Sequence, residues 1–322
     1  MPQVSPEAIQ SAREMDLLTY LQSYEPQELV SIGGGTYTTR THDSLKISNG
    51  KWNWWSRDIG GRSALDYLVK VKGMEFTNAV EYLTGQAAAM PPVFAPAPVP
   101  QKRDFIPPPK HHHSRAAADY LRRRGIDPEI TRQLMSAGRI YESHNQTASG
   151  RVFANAVFLG LDKSGKPRYA SVRGVASDFK GDASGSDKRY SFSLISAGNS
   201  QVLHLFESAI DLLSYATILK QYGKDWRADN LLSLAGIYSP KEQLSDSKLP
   251  SALTQFLEDY PHVNRVALHL DNDPPGQRAA EAIAASMPKE ISVSSEPPRF
   301  GKDCNDCLMT LRNMKKKRTC AR

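Results

Sequence analysis

The stretch VALHLDNDPPGQRAA, residues 266–280, runs from an apolar segment into two aspartates, a Pro-Pro-Gly turn and an alanine-rich segment. This order is typical of a buried strand that leads through a turn into a helix. Asp271 and Asp273 stand where the strand would end. Two carboxylates so close together repel each other unless a cation or a proton compensates their charge.

The same pattern occurs upstream and predicts a mainly parallel sheet. VLHLFE, residues 202–207, precedes a helical segment, and NLLSLAG, residues 230–236, follows that segment. Strands that alternate with helices predict an α/β fold, in which functional groups gather at the carboxyl ends of the strands. Glu207 ends the first strand, so we expect it to lie near Asp271 and Asp273. Carboxylates without histidine or thiolate partners favour hard ions, which predicts Mg²⁺ or Mn²⁺ as the cofactor.

Two further acidic groups belong to this hypothesis. Asp303 lies in RFGKDCNDCL, residues 299–308, after a short strand-like run. Asp211 follows Glu207 by four residues, and two interpretations of it stay open: a helix cap with Ser208, or a part of the site. For Asp271 and Asp273 the alternative is ordinary turn chemistry, because aspartate is common in turns.

These motifs resemble the Toprim domain of bacterial primases of the DnaG type. Residues 206–218, FESAIDLLSYATI, resemble the Glu-Gly-Tyr-x-Asp segment of that domain, with Ser208 in place of the glycine, and residues 266–280 resemble its Asp-x-Asp strand, turn and helix. LLSLAGIYSP, residues 231–240, is similar to the glycine-containing turn between them, and KDCND, residues 302–306, stands where the family carries a later acidic pair. Toprim proteins of plasmids and conjugative elements look closer still.

The likeness extends upstream of the Toprim motifs. Residues 117–130, AADYLRRRGIDPEI, resemble the helix pair of the primase family, and residues 150–174 resemble its basic subdomain. The resemblance implies an α/β fold class, namely a Rossmann-like Toprim domain with a mainly parallel sheet, preceded by an α+β basic subdomain and a small α+β N-terminal module. The implied order is a zinc-finger-like module (10–85), a Pro/Ala-rich linker (86–112), the basic subdomain (113–199), the Toprim domain (200–310) and a basic tail (311–322).

The N-terminal module departs from the family. SLKIS and KWNWW flank an Asn-Gly pair at residues 49 and 50, which predicts a hairpin. The module resembles the primase zinc-binding module, whose ligands are three cysteines and a histidine. Only His42 remains here, so zinc is not expected. Trp54 and Trp55 are candidates for stacking on the bases of single-stranded DNA, and the alternative is that they form the core.

The net charge of +7 favours a polyanionic partner such as nucleic acid. Within the segments that resemble the basic subdomain, the resemblance implies nucleotide or template contacts for Arg151, Arg173, Lys188 and Arg189. Each of them taken singly is equally compatible with a solvated surface charge.

Other features favour simple interpretations. The three cysteines, Cys304, Cys307 and Cys320, lie in the last twenty residues, which predicts reduced thiols without a structural role. The histidines at 111–113 follow a proline run, and we expect an exposed polar stretch that does not converge on a metal. The sequence lacks an apolar run of membrane-spanning length and a signal peptide, which predicts a cytoplasmic protein without a membrane partner.

Three functions are compatible with these features. The first is a primase-like nucleotidyltransferase that makes short RNA primers from NTPs on single-stranded DNA for a plasmid or another mobile element, with a replicative helicase or the element's replication proteins as further partners. Its catalytic residues would be Glu207, Asp271 and Asp273. Asp271, Asp273 and Asp303 would hold the metal, and Glu207 would be a further ligand or a proton acceptor. The second is a metal-dependent Toprim nuclease, and the third is a DNA-binding accessory protein that has lost its chemistry.

Overall fold

The computed structural model describes residues 4–33, 35–54, 57, 59–89, 104–146, 152–236, 238 and 247–320. The chain divides into two compact units, residues 1–102 and 103–322. None of the helices in these described ranges is both long and apolar enough to span a bilayer.

The first unit packs helices on an antiparallel sheet with the strand order β1-β2-β3-β4-β5. Its elements are α1 (Pro6–Glu14), α2 (Leu17–Tyr24), β1 (Leu29–Gly33), β2 (Thr36–Thr39), β3 (Leu45–Ser48), β4 (Lys51–Trp54), β5 (Ile59–Gly61), α3 (Ala64–Lys70) and α4 (Phe76–Ala89). The predicted hairpin is confirmed, because β3 pairs with β4 across Asn49 and Gly50, whose φ angles of 51° and 67° are those of a type I′ turn. Trp52 is buried, and its indole donates to the carbonyl of Ser63.

Three details of this unit differ from the sequence-based expectation. The segment 11–24 has the apolar spacing of a helix, but the structure divides it between two helices, because the side chain of Asp16 accepts a hydrogen bond from the Thr19 amide and starts α2. β1, β2 and β5 were not predicted. α4 continues to Ala89, past the expected start of the linker at residue 86, because residues 86–89 contain alanine and no proline.

The second unit begins with a helix pair and an antiparallel sheet of order β6-β7-β8-β9. Its elements up to this point are α5 (Arg115–Arg123), α6 (Pro128–Ser136), β6 (Ile140–Gln146), β7 (Val152–Leu161), β8 (Pro167–Gly174) and β9 (Lys180–Asp182). The helix pair is divided as expected at Gly125 and Asp127, where Asp127 caps α6. β6 and β9 were not predicted. Leu121, Ile130, Ile140 and Phe158 share one core with residues of the following domain.

The rest of the unit is a mainly parallel sheet covered by helices. Its elements are β10 (Ser193–Leu194), β11 (Val202–Phe206), α7 (Ala209–Gln221), β12 (Asn230–Ser233), α8 (Ser251–Asp259), β13 (Arg265–Leu268), α9 (Pro274–Ser286), β14 (Ser292–Ser295) and α10 (Cys304–Cys320). The strand order is β10-β12-β11-β13-β14, and all neighbours are parallel except β10 with β12. The predicted fold class is confirmed.

The carboxyl ends of β11 and β13 meet at one edge of this sheet. The strands are neighbours, and Leu205 of β11 lies opposite Leu268 of β13. The residues that follow the two strands therefore face each other across a few ångströms. At the end of the chain, α10 continues through residues 311–320, which the sequence-based interpretation had assigned to a basic tail.

Candidate metal-binding active site

Glu207 and Asp271 lie side by side where their strands end. The backbone amide of Asp271 donates to Glu207 Oε1 at 3.2 Å, so the glutamate is held against the neighbouring strand end. The amide of Gly236, at the end of β12, donates in turn to the Glu207 carbonyl at 3.1 Å. Three consecutive strand ends of the sheet are thereby tied together at this site.

Asp273 begins the helix α9 directly beside this pair. Its Oδ1 accepts from the Gly276 amide at 2.9 Å, and its Oδ2 lies 3.0 Å from the Lys302 ammonium. A Cβ atom at position 276 would lie 2.1 Å from the carbonyl oxygen of Asp271. Glycine at 276 is therefore what allows α9 to start so close to the end of β13.

Lys302 lies between the two aspartates. Its ammonium is 3.3 Å from Asp271 Oδ2 and 3.0 Å from Asp273 Oδ2, and its carbonyl accepts from the Asn272 amide at 2.7 Å. Hydrogen bonds and charge attraction to both aspartates raise the pKa of Lys302. An ammonium group therefore borders the position that a cation is expected to occupy. Sequence reasoning missed this role of Lys302, whose only signal was its place next to Asp303.

The environment shifts the pKa values of the three carboxylates in different directions. Burial, then the charge of Asp271, raises the pKa of Glu207. Burial also raises the pKa of Asp271, against the opposing effect of Lys302. The pKa of Asp273 is lowered by the hydrogen bond from the Gly276 amide and by Lys302. Glu207 and Asp271 therefore hold protons more readily than ordinary carboxylates do, whereas Asp273 remains ionised.

Asp211 is the most deeply buried acid of the group, with 7% of its surface exposed. Ser208 caps α7 and donates through Oγ to Asp211 Oδ2 at 2.6 Å, so the capping interpretation of this pair is realised. Burial raises the pKa of Asp211 to about 7; the hydrogen bond from Ser208 opposes this shift, and the charges of Asp303 and Asp271 add to it. The charges of the other acids therefore change the pKa of Asp211, which belongs to the same electrostatic group.

Asp303 lies at the start of α10, where its Oδ1 accepts from the Asp306 amide at 2.7 Å. The turn before it requires Gly301, which has a φ of +76° and whose Cβ would lie 2.4 Å from the side chain of Asp306. Behind it, the buried Asn305 donates to the carbonyl of Arg124 and to Ser214 Oγ, which ties α10 to α5 and α7. Asp303 therefore lies at the end of a helix that hydrogen bonds hold against α5 and α7.

These residues fit a hard divalent ion. All the candidate ligand atoms are carboxylate oxygens, and the Lys302 ammonium already bridges two of the carboxylates as a cation would. Within the described ranges, no three of these acids bring their oxygens to within 4.8 Å of one another. A hard ion that keeps several waters and binds through one or two carboxylates is compatible with that spacing.

The predicted basic residues are distributed over several places. Lys188 lies 3.1 Å from Asp182 and 3.4 Å from the carbonyl of Ala235, which puts it near the end of β12. Arg189 forms a bidentate pair with Asp187, and Arg173 lies on β8. The structure therefore brings Lys188 close to the acidic edge, the sheet edge that carries Glu207, Asp271 and Asp273. Arg151 lies outside the described residues.

Of the two tryptophans proposed to stack on bases, Trp55 also lies outside the described residues. Trp54 is half-buried, with the His42 ring at 4.2 Å and the Arg57 guanidinium at 5.3 Å from its own ring. Its indole donates to Ser44 Oγ at 3.1 Å. Trp54 is thus in contact with His42 and Arg57, whereas Trp52 takes the core position.

A second group of possible metal ligands was missed by sequence reasoning. The expectation that the histidines at 111–113 do not converge is wrong, because their ligand atoms lie within 4.8 Å of one another, and those of His111, Glu142 and His144 do so as well. β6, which carries Glu142 and His144, had not been predicted, so its partnership with residue 111 could not be seen. Cys304 and Cys307 are both buried and unpaired.

Comparison with known proteins supports the motif-based interpretation. Residues 204–308 match a family model described as Toprim-like, and residues 119–198 match one described as a protein of unknown function, DUF3991. A 65 kDa protein of Zymomonas mobilis is 28% identical over 294 residues, which cover 84% of this chain and 46% of that protein. An uncharacterized protein of Bacillus anthracis, pXO2-78, is 27% identical over 86% of this chain and 78% of its own length.

Among solved structures, the primase fragment of the bacteriophage T7 primase-helicase is similar with a TM-score of 0.44 and 14% identity, over 86% of this chain and 93% of that one. A DNA primase domain from Pseudomonas aeruginosa is similar with a TM-score of 0.40 and 16% identity, over 65% and 73%. The resemblance of the strand-end motifs to Toprim proteins is confirmed, and residues 204–308 of this chain form a Toprim-like domain.

Proposed function

We propose that this protein is a primase-like nucleotidyltransferase that joins ribonucleotides into short primers on single-stranded DNA. The observation that carries the proposal is the group of Glu207, Asp271 and Asp273 at the carboxyl edge of a parallel sheet, with Lys302 between the two aspartates. Such a group costs stability without a cation, since the pKa values of Glu207 and Asp271 are raised. Carboxylates that lower the stability of the fold are best explained by chemistry on a charged substrate.

In this proposal Asp271, Asp273 and Asp303 would hold Mg²⁺ or Mn²⁺. The ion, when bound, would neutralise the charge of the triphosphate and of the departing pyrophosphate. The primer 3′-hydroxyl attacks the α-phosphate of an incoming NTP. Glu207 would accept the proton of that hydroxyl, a role that suits a carboxylate whose pKa is raised by burial.

The remaining charged residues would position the substrates. Lys302 keeps a positive charge beside the aspartates and would contact phosphate oxygens as the nucleotide enters. Lys188 lies near the end of β12 and, with Arg151, Arg173 and Arg189, is proposed to contact the triphosphate or the template. The strength of such contacts depends on the salt concentration, because phosphate binding releases counterions.

The proposed domain roles follow the expected order. Residues 113–199 would bind template and nucleotide, and residues 200–310 would carry the chemistry. Residues 10–85 would be a zinc-free module that contacts single-stranded DNA, in which the Arg57 and Trp54 pair offers a cation and an aromatic face. A replicative helicase or the replication proteins of a mobile element are the proposed further partners.

Incubation of the protein with single-stranded DNA, labelled NTPs and Mg²⁺ or Mn²⁺ tests this function. Short RNA products are expected, and Asp271→Asn should reduce their formation about 100-fold or more, a typical cost of removing one electrostatic stabiliser from an active site. Asp225→Asn is the matched control, because Asp225 is an exposed aspartate after α7 that pairs with Arg227, at the opposite end of the sheet.

The other outcomes are equally informative. Cleaved DNA without RNA synthesis, lost in Asp271→Asn, would replace the proposal with a Toprim nuclease. DNA binding without either product would replace it with an accessory role. Equal loss of product in Asp225→Asn would contradict the assignment of the chemistry to the acidic edge.

A further inference from the structure

A carboxylate and several imidazoles converge where the segment before α5 meets β6. Glu142 and His144 lie two residues apart on β6, and His144 Nε2 is 2.7 Å from Glu142 Oε1. His111 Nδ1 and His113 Nδ1 approach the same oxygen to 3.9 Å and 3.8 Å. Side chains that are about 30 residues apart in sequence therefore point at one atom.

Glu142 is held in place by an extensive set of hydrogen bonds. Its side chain is 1% exposed, and Oε2 accepts from the amides of Ala116 and Ala117 at 2.7 Å and 3.1 Å, in the first turn of α5. These bonds leave Oε1 directed at the histidines. The backbone of Glu142 is fixed as well, since its amide donates to Ser114 Oγ and its carbonyl accepts from the His111 amide at 2.8 Å.

The imidazoles lie close together beside the Glu142 carboxylate. The His111 and His144 rings stack with their centroids 3.7 Å apart. Each ring has a nitrogen that can bind a metal ion.

The distances are those that a small ion would span. Ligands at about 2.0–2.1 Å from a tetrahedral zinc ion are separated from one another by about 3.3 Å. The three separations from Glu142 Oε1, of 2.7, 3.9 and 3.8 Å, lie on both sides of that value. The spacings of 3.8 and 3.9 Å are too long for hydrogen bonds to the carboxylate, and His111 Nδ1 lies instead 3.3 Å from the His113 carbonyl oxygen.

We propose that His111, Glu142 and His144, with His113 as the fourth ligand, bind one divalent transition-metal ion of the zinc class. Imidazole nitrogen favours such ions over Mg²⁺, which separates this site from the carboxylate site of the Toprim-like domain. The ion would join the segment 104–114 to β6 within the second unit. The proposal does not depend on the proposed enzymatic function.

Metal binding by the full chain, prepared without a polyhistidine tag, tests the proposal. After removal of metals with a chelator and dialysis, the protein is titrated with Co²⁺ and with Zn²⁺. One ion per chain and the visible absorption of four-coordinate cobalt are expected, and Zn²⁺ should displace the cobalt. Elemental analysis after a desalting step gives the stoichiometry independently of any activity.

Variants locate the ion. His144→Gln, at a half-buried position, and His111→Gln should abolish the cobalt absorption while leaving the circular dichroism spectrum unchanged. His112→Gln is the matched control within the histidine run, and His262→Gln is the control elsewhere in the unit; both should retain one ion per chain. Retention of the ion in His144→Gln, or its loss in His112→Gln, would overturn the proposed ligand set.

Limited trypsin digestion gives a readout that a mere ion pair would not produce. Lys110 is exposed and adjoins His111, and Zn²⁺ should slow cleavage after Lys110 in the unaltered chain and in His112→Gln, but not in His144→Gln. Absence of a stoichiometric ion together with unchanged cleavage would show that these side chains form only a hydrogen-bonded cluster.

Discussion

At the scale of the residue, burial decides how the acids of this protein behave. Asp211 lies in the first turn of α7 and Asp273 caps α9, yet the pKa of Asp211 is raised to about 7, chiefly by burial, and that of Asp273 is lowered, chiefly by the Gly276 amide. The sequence showed that both were acids near strand ends. It could not show their exposure, because exposure depends on α10, which covers Asp211 and comes from a distant part of the chain.

Asp211 should make stability depend on pH when no divalent ion is bound. Its pKa is higher in the folded chain than in the unfolded one, so the folded state keeps a proton that the unfolded state releases between about pH 4 and about pH 7. The stabilisation from that proton is full at low pH, declines by up to about 1.4 kcal/mol per pH unit in this window and is lost above about pH 7.

Chemical denaturation of the unaltered chain and of Asp211→Asn, in a chelator at several pH values from 5 to 8, measures this effect. The free energy of unfolding of the unaltered chain should fall relative to the variant as the pH rises through this window. If the free energies of unfolding of the unaltered chain and of Asp211→Asn changed in parallel with pH, Asp211 would not be protonated in the folded chain at pH 5 and 6.

At the scale of the element, two glycines in helices have opposite roles. Gly276, in the first turn of α9, has the carbonyl of Asp271 where its Cβ would be, at 2.1 Å, whereas Gly85 in α4 has open space around that position. Both are glycines in helix-forming sequence, so local propensity treats them alike. Only the approach of β13 to α9 distinguishes them.

Alanine at each position should therefore change stability in opposite directions. Gly85→Ala should stabilise the first unit by about 0.5–1 kcal/mol, because glycine is entropically costly in a helix. Gly276→Ala should destabilise the second unit by about 1–3 kcal/mol, because the backbone must shift, and it should weaken Mg²⁺ binding by displacing Asp271. Thermal and denaturant unfolding measure both; a stabilised Gly276→Ala would refute the close approach.

At the scale of the whole molecule, the chain consists of two compact units with separate cores. The core of the first unit includes Tyr20, Trp52 and Tyr67, and the larger cores of the second include Phe158, Phe206 and residues of the Toprim-like sheet. The acidic site belongs wholly to the second unit. Ligands of that site should consequently stabilise one unit and leave the other unchanged.

Unfolding of two fragments, residues 4–89 and 104–320, with and without Mg²⁺ checks this separation. At a concentration near 100 times the dissociation constant, Mg²⁺ should raise the melting temperature of the second fragment by about 5 °C or more. The first fragment should not respond, and Asp271→Asn should remove the response of the second. A shift in the first fragment, or one that survives in Asp271→Asn, would mean that Mg²⁺ binds elsewhere.

The sequence by itself determined the alternation of strands and helices in residues 202–286, the hairpin at Asn49 and the acids Glu207, Asp271 and Asp273, because each rests on local patterns of apolar residues, turns and charges. The tertiary structure decided what those patterns leave open. It set Lys302 between the aspartates, buried Asp211 beneath α10 and brought His111 to Glu142 and His144. These contacts join residues that are far apart in the chain, and such contacts depend on strand order and packing, which no local period of the sequence encodes.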